Sequence, residues 1–176
     1  MKKLSFLFTF IIATTLFISC QNSDSNSNSK GVSKAEDVGK HTFNLLKSLE
    51  NITKEEYVQK LFTVEEIKEF GKKNADSLSE RAKADIEGVT KVEYDERMIK
   101  DYNSLRKIGL RADIVWNNIK YKDYDFKKKE EDGLSGTLGK LSFTHNGKNY
   151  AVRVSTFFTE NQYILIGIRR LTEEKN

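Results

Sequence analysis

GKLSFTHNGKNYAVRV, residues 139–154, places two alternating apolar segments on either side of Asn146-Gly147. Asn and Gly tolerate positive φ at both central positions of a type I′ turn, whose twist matches that of the strands it joins. With this turn as the hinge, Phe143 faces Tyr150 and Leu141 faces Val152 on one surface. Ser142 then faces Ala151, and Lys140 faces Arg153, on the other. A slip of one residue would mix the two surfaces, so the alternation itself fixes the register. Lys140 and Arg153 become a like-charge pair on the polar surface. Splayed side chains, a neighbouring strand, an anion or a partner carboxylate would each relieve it.

Downstream, QYILIGIRR (162–170) predicts a strand over about 162–171, with Ile164, Ile166 and Ile168 on one face and Tyr163 and Leu165 on the other. Apolar residues on both faces point to a covered strand. Thr159–Gln162 is not a primed-turn sequence, which leaves the register between the last two strands open. Upstream, ADIVWNNIKYKDYDF (112–126) reads as a long strand whose apolar parity slips at Ile119 and again at Tyr124, a sign of bulges and curvature. KKKEED (127–132) reads as a solvated loop, and the glycines of GLSGTLG (133–139) as a flexible one.

Before residue 110 the period is helical. Ser33–Glu36, Thr53–Glu56, Thr63–Glu66 and Thr90–Glu93 have capping-box spacing, in which the hydroxyl and the carboxylate satisfy free amides at a helix start. Helices are expected over about 34–50 (Val38, Thr42, Leu45, Leu46 and Leu49 on one face), 54–61 (Tyr57, Val58, Leu61) and 64–73 (Ile67, Phe70). Two more follow, one along Ala75, Leu78, Ala82, Ile86 and Val89 and one over 91–109 along Tyr94, Met98, Tyr102, Leu105 and Ile108. Glu56–Lys60 has the spacing of a solvated ion pair. Helices first and an antiparallel meander of about four curved strands afterwards make an α+β domain, the helices packed on the sheet.

The first 19 residues have another character. Lys2 and Lys3 precede the uncharged apolar run LSFLFTFIIATTLFIS (4–19), the layout of a secretory signal peptide and short of the ~20 residues of a spanning helix. Ser19 and Cys20 close it, and LFISC (16–20) resembles a bacterial lipobox. That resemblance implies cleavage before Cys20 and its acylation (palmitate among the chains), hence a lipid-anchored protein of the cell envelope. The lipid bilayer is then a partner through Cys20. Gln21, where an Asp would signal inner-membrane retention, points to the outer membrane, with the body on the periplasmic side. More than one acyl chain makes such an anchor stable. The Ser/Asn-rich residues 20–32 form a flexible linker, ten residues of which reach about 17 Å. The division expected is a signal peptide over 1–19, the lipidated linker over 20–32 and one α+β domain over 33–176.

Two of the four net positive charges are Lys2 and Lys3, leaving +2 on the remainder with both signs interspersed. Nucleic acid is therefore not an expected partner. Cys20 has no second cysteine to pair with, and the chain has no proline.

The segments FNLLKSLENITKEEYVQKLFTVEEIKEF (43–70) and GKLSFTHNGKNYAVRVSTFFTENQYILIGIRRL (139–171) resemble the nuclear transport factor 2-like cone, or the related cystatin-like arrangement, as found in small envelope lipoproteins. Helices laid on a curled sheet are what the resemblance implies. Function has to come from a site, not from the fold.

Chemistry-bearing patterns are sparse. His41 and His145 have no metal-ligand spacing, and each is read as an exposed or capping polar residue. There is no GxSxG elbow and no phosphate loop. No catalytic residue, metal or cofactor is assigned. Trp116, Tyr121, Tyr124, Phe126, Tyr150, Phe157, Phe158 and Tyr163 fall in expected strands. Such aromatics either fill the space between sheet and helices or line a cavity for a small apolar ligand. The expected ligand or partner surface comprises Trp116, Tyr121, Tyr124, Phe126 and Phe157 together with Lys140 and Arg153. The expectation is a non-catalytic module that binds a small apolar ligand or an envelope protein. Its alternative is a cone-fold enzyme using a buried carboxylate on a small apolar substrate. Candidate carboxylates are Asp113, Asp123 and Asp125, all flanked by polar residues that favour water.

Overall fold

A computed structural model of the chain describes residues 30–174. The expected signal peptide, Cys20 and the expected linker up to residue 29 lie outside them. The Asn146-Gly147 turn forms with both residues at positive φ, 47° and 76°. It joins β3 (Leu134–His145) to β4 (Lys148–Thr159) in the expected register, with Phe143 opposite Tyr150 and Lys140 opposite Arg153.

The sequence reading needs correction on both sides of that hairpin. KKKEED is not a loop but the end of β2 (Lys120–Glu131), followed by an Asp132-Gly133 turn at φ 56° and 80°. GLSGTLG is not flexible either; after Gly133 it runs as the start of β3. β2 is an edge strand, and its run of charges keeps that edge from pairing with another chain. β4 turns into β5 (Gln162–Glu174) through Glu160-Asn161, again with both residues at positive φ, 48° and 61°. With β1 (Gly31–Val32), two residues expected in the linker, the strands of the described residues number five rather than about four. The sheet is curled, antiparallel and ordered β1-β5-β4-β3-β2.

Bulges in β5 overturn the expected facing of its isoleucines. Ser155 pairs with Gly167 but Thr156 with Leu165, so Ile166 is the extra residue. A second slip lies between the pairs Ala151–Thr172 and Arg153–Arg169, beside Arg170 at φ 58°. Each bulge advances the strand's phase by one residue. Leu165, Ile168 and Leu171, three apart, are therefore all buried, while Ile164 and Ile166 are only partly so. In β2 the expected parity slip is a bulge at Lys122, between Tyr121 and Asp123. Trp116, expected in that strand, sits instead in the 3₁₀ turn Trp116–Asn118.

The five α-helices of the described residues are α1 (Val38–Lys47), α2 (Lys54–Gln59), α3 (Val64–Lys73), α4 (Glu80–Gly88) and α5 (Lys91–Arg111). Thr53 and Thr63 form complete capping boxes, and Thr90 accepts from the Glu93 amide. The Glu56 carboxylate is taken up by the Thr53 amide at 2.8 Å, which is why it makes no pair with Lys60. Ser33 caps nothing, because Ala35–Asp37 is a 3₁₀ turn and α1 begins only at Val38. The fourth helix is shorter than its apolar repeat and starts at Ser79, whose hydroxyl accepts from the Ala82 amide. No helix among the described residues is long and apolar enough to cross a membrane.

The core lies between α1, α2, α5 and the sheet. Leu46, Leu49, Tyr57, Met98, Leu141, Phe143, Leu165 and Ile168 are fully enclosed there. Tyr94 and Tyr102 donate to the Phe62 and Ile52 carbonyls at 2.6 and 2.7 Å, fastening α5 to the segments that flank α2. Thr42, on the core face of α1, is fully buried, and its Oγ1 has no hydrogen-bond partner among the described residues. A buried unpaired hydroxyl costs about 1–3 kcal/mol. Thr42→Val keeps the shape and removes the hydroxyl, and is expected to raise the unfolding free energy by about 1 kcal/mol. The change would be read as a higher urea midpoint at unchanged slope; a lower midpoint would mean that the hydroxyl is satisfied.

Candidate functional site

The expected aromatic surface does not converge on one place. Trp116 is buried and meets Phe143 at 6.1 Å between ring centroids, and Phe143 stacks on Tyr150 at 5.7 Å. Tyr124 stacks on Phe126 at 5.3 Å, and Tyr121 meets Phe43 edge-on at 5.5 Å. Phe157 is held by Phe62 at 5.3 Å and Phe70 at 4.7 Å, while Phe158 meets Tyr163 at 4.7 Å. These rings pack against one another and fill space, and Tyr121 alone among them is exposed.

Asp113, Asp123 and Asp125 are exposed. His145 is buried rather than exposed and takes the second of its two expected readings: its Nε2 accepts the Val115 amide at 3.3 Å, capping the 3₁₀ turn that carries Trp116. His41 is partly buried, and burial lowers its pKa. No set of three or more metal-binding side chains occurs among the described residues.

The polar surface of the β3–β4 hairpin gathers the other expected residues and adds some that the sequence reading missed. Asp125 pairs across the sheet with Lys140, Lys140 with Arg153, and Arg153 with Arg169. Strand spacing puts successive members roughly 5 Å apart, so three cations stand side by side. Like charges directly opposite one another are destabilising. The outer two have carboxylate partners: Lys140 Nζ donates to Glu174 Oε1 at 3.0 Å, and Arg169 Nε lies 2.9 Å from Asp101 Oδ2 on α5. Arg153, in the middle, makes no side-chain hydrogen bond or ion pair with the described residues, and neither does Arg170.

An open groove of about 910 Å³ follows this row. Lys127, Lys140, Arg153, Arg169 and Arg170 line it against two carboxylates, Asp125 and Glu174. Leu138, 51% exposed, gives it an apolar element, while Phe126 turns to the opposite face and stacks on Tyr124. Among the described residues Asp101 is the one carboxylate whose pKa is raised, chiefly by burial, with Arg169 acting in the opposite direction. It lies beside fully buried Tyr57, whose hydroxyl is pushed well above its ordinary pKa by the same burial. Asp101 thus anchors Arg169 at the groove margin and does not line the groove. Glu174 and Arg169 could not be placed from the sequence because the bulges of β5 set their register.

Set against known proteins, the chain matches no family model, no curated protein and no solved structure.

Proposed function

We propose that the chain is a lipid-anchored protein of the bacterial cell envelope whose domain, a nuclear transport factor 2-like cone in outline, is a non-catalytic binding module using the open face of its sheet. The observation that carries the binding role is the cation row with unpaired Arg153 at its centre, in a groove that also presents exposed Leu138. The filled interior adds support, because the space that an enzyme of this outline would give to a substrate is taken by Tyr57, Phe143, Tyr150 and their neighbours. The anchoring half of the reading rests on the signal layout and the lipobox resemblance at Cys20. From Gln21, the outer membrane is its destination.

Cys20→Ser is expected to shift nearly all of the protein from the membrane fraction to the soluble fraction. Globomycin is expected to accumulate the uncleaved precursor. Intact mass of membrane-extracted protein should show the chain starting at an acylated Cys20. A mass corresponding to a free thiol, or to a chain that still begins at Met1, would end the anchoring reading.

A further inference from the structure

We propose that the groove receives an extended, acidic segment of a partner protein, one carboxylate docking on Arg153 and an apolar side chain two residues away on Leu138. This rests on the reading of the domain as a binding module and names the chemistry of what it binds. Arg153 is the member of the row left without a counter-charge, and the cations on both sides of it make an incoming carboxylate more favourable there than at an isolated arginine. Its planar guanidinium takes a carboxylate through two parallel hydrogen bonds, which a lysine cannot do.

The apolar component follows from the register. Leu138 pairs with Ser155, two residues along β4 from Arg153, so Leu138 and Arg153 are diagonal neighbours on one face. Diagonal neighbours stand about 7–8 Å apart. Side chains at i and i+2 of an extended segment share a face and are separated by about 7 Å. One acid and one apolar residue at that spacing therefore meet both features at once. A free phosphate would answer only Arg153 and leave Leu138 in water.

A bilayer of anionic lipid is the other source of negative charge near an anchored protein. It is attracted by a broad field of one sign, whereas Asp125 and Glu174 border these cations. The cations also line a groove, which a planar surface cannot enter as a single side chain can.

The test selects a random heptapeptide display library on the mature full-length chain in detergent micelles. Enriched peptides are expected to carry Asp or Glu two places from Leu, Ile, Val or Phe. As synthetic peptides they should bind Arg153→Glu about tenfold or more weakly and Arg153→Lys several-fold more weakly, with affinity falling as salt rises. Arg153 is exposed, so both variants should keep the native circular dichroism. Enriched peptides without an acid, bound equally by Arg153→Glu, would overturn the acidic segment yet keep the binding-module reading. No enrichment at all would overturn both. Phosphatidylglycerol vesicles binding the unanchored Cys20→Ser chain through Arg153, or inorganic phosphate competing fully with the peptides, would replace the peptide by a lipid surface or a small anion.

Discussion

Phe143→Ala is expected to lower the unfolding free energy by about 3–5 kcal/mol, the range for deleting a buried aromatic ring. Phe143 is 0% exposed and stands between Trp116 and Tyr150, two large rings that cannot both move into the space it leaves. Trp116 is braced from behind, since a Cβ on Gly109 of α5 would lie 2.6 Å from its ring. The cavity stays open for that reason, and open cavities put such a substitution at the costly end. Domains of this size hold about 5–15 kcal/mol in all, so at least about a fifth of the stability disappears and Tm falls by roughly 10 °C. Leu110→Ala, at a residue 79% exposed on the same α5, is the matched control and should change stability by less than about 0.5 kcal/mol. A loss at Phe143 under about 1.5 kcal/mol, read from the urea midpoint, would mean that the core closes over the gap and that Trp116 is not braced as described.

Gly39→Ala is the second large effect, and its sign runs against helix propensity. Inside a helix, Ala is favoured over Gly by about 1 kcal/mol. At position 39 of α1, however, the new methyl would collide with Tyr124 Cβ and lie 2.6 Å from its Cγ. The ring cannot withdraw, because a Cβ at Gly139 on β3 would lie 2.5 Å from its Cε2 and hydroxyl. Two glycines thus form the slot that takes Tyr124, and overpacking of this kind costs about 1–3 kcal/mol. Gly88→Ala, where a Cβ would meet nothing within 4 Å, should instead stabilise the protein by up to about 1 kcal/mol. Opposite signs for one substitution at two helical glycines are the expected result. Stabilisation by Gly39→Ala, in the same denaturant titration, would show that α1 does not press on β2.

What the sequence discloses depends on how local its cause is. Asn146-Gly147 carries its own backbone preference, so the hairpin and the Lys140–Arg153 pairing could be read from a few residues. Thr53 and Thr63 likewise show their caps within four positions. Asp132-Gly133 has an equally good turn chemistry, but the charges of Lys127–Glu131 erase the alternation that identifies a strand, since an edge strand needs charge more than it needs an apolar face. β5 was misread for the opposite reason: its apolar residues are plain, but the two bulges that choose among them arise from pairing with β4. The site divides in the same way. Arg153 and Lys140 were legible through the turn; Glu174, Arg169 and the exposed Leu138 required the register on both sides of the hairpin. The aromatic residues were found by composition, yet composition carries no information on which ring meets which.

Any mechanical load applied through the chain N-terminal to residue 30 arrives first at Lys30 and β1. There it meets the 2.7 Å ion pair from Lys30 to Glu66 and two residue pairs, Gly31 with Ile164 and Val32 with Tyr163. Everything beyond is held by longer ladders and by the packed face of α1. β1 therefore yields before the body does. Peeling it back as far as Lys34 pays out about four residues, roughly 12–14 Å of extra chain at full extension, while the rest of β5 stays paired with β4. The strand nearest the amino-terminal segment acts as a fuse in series with it, one that re-forms when the load is removed.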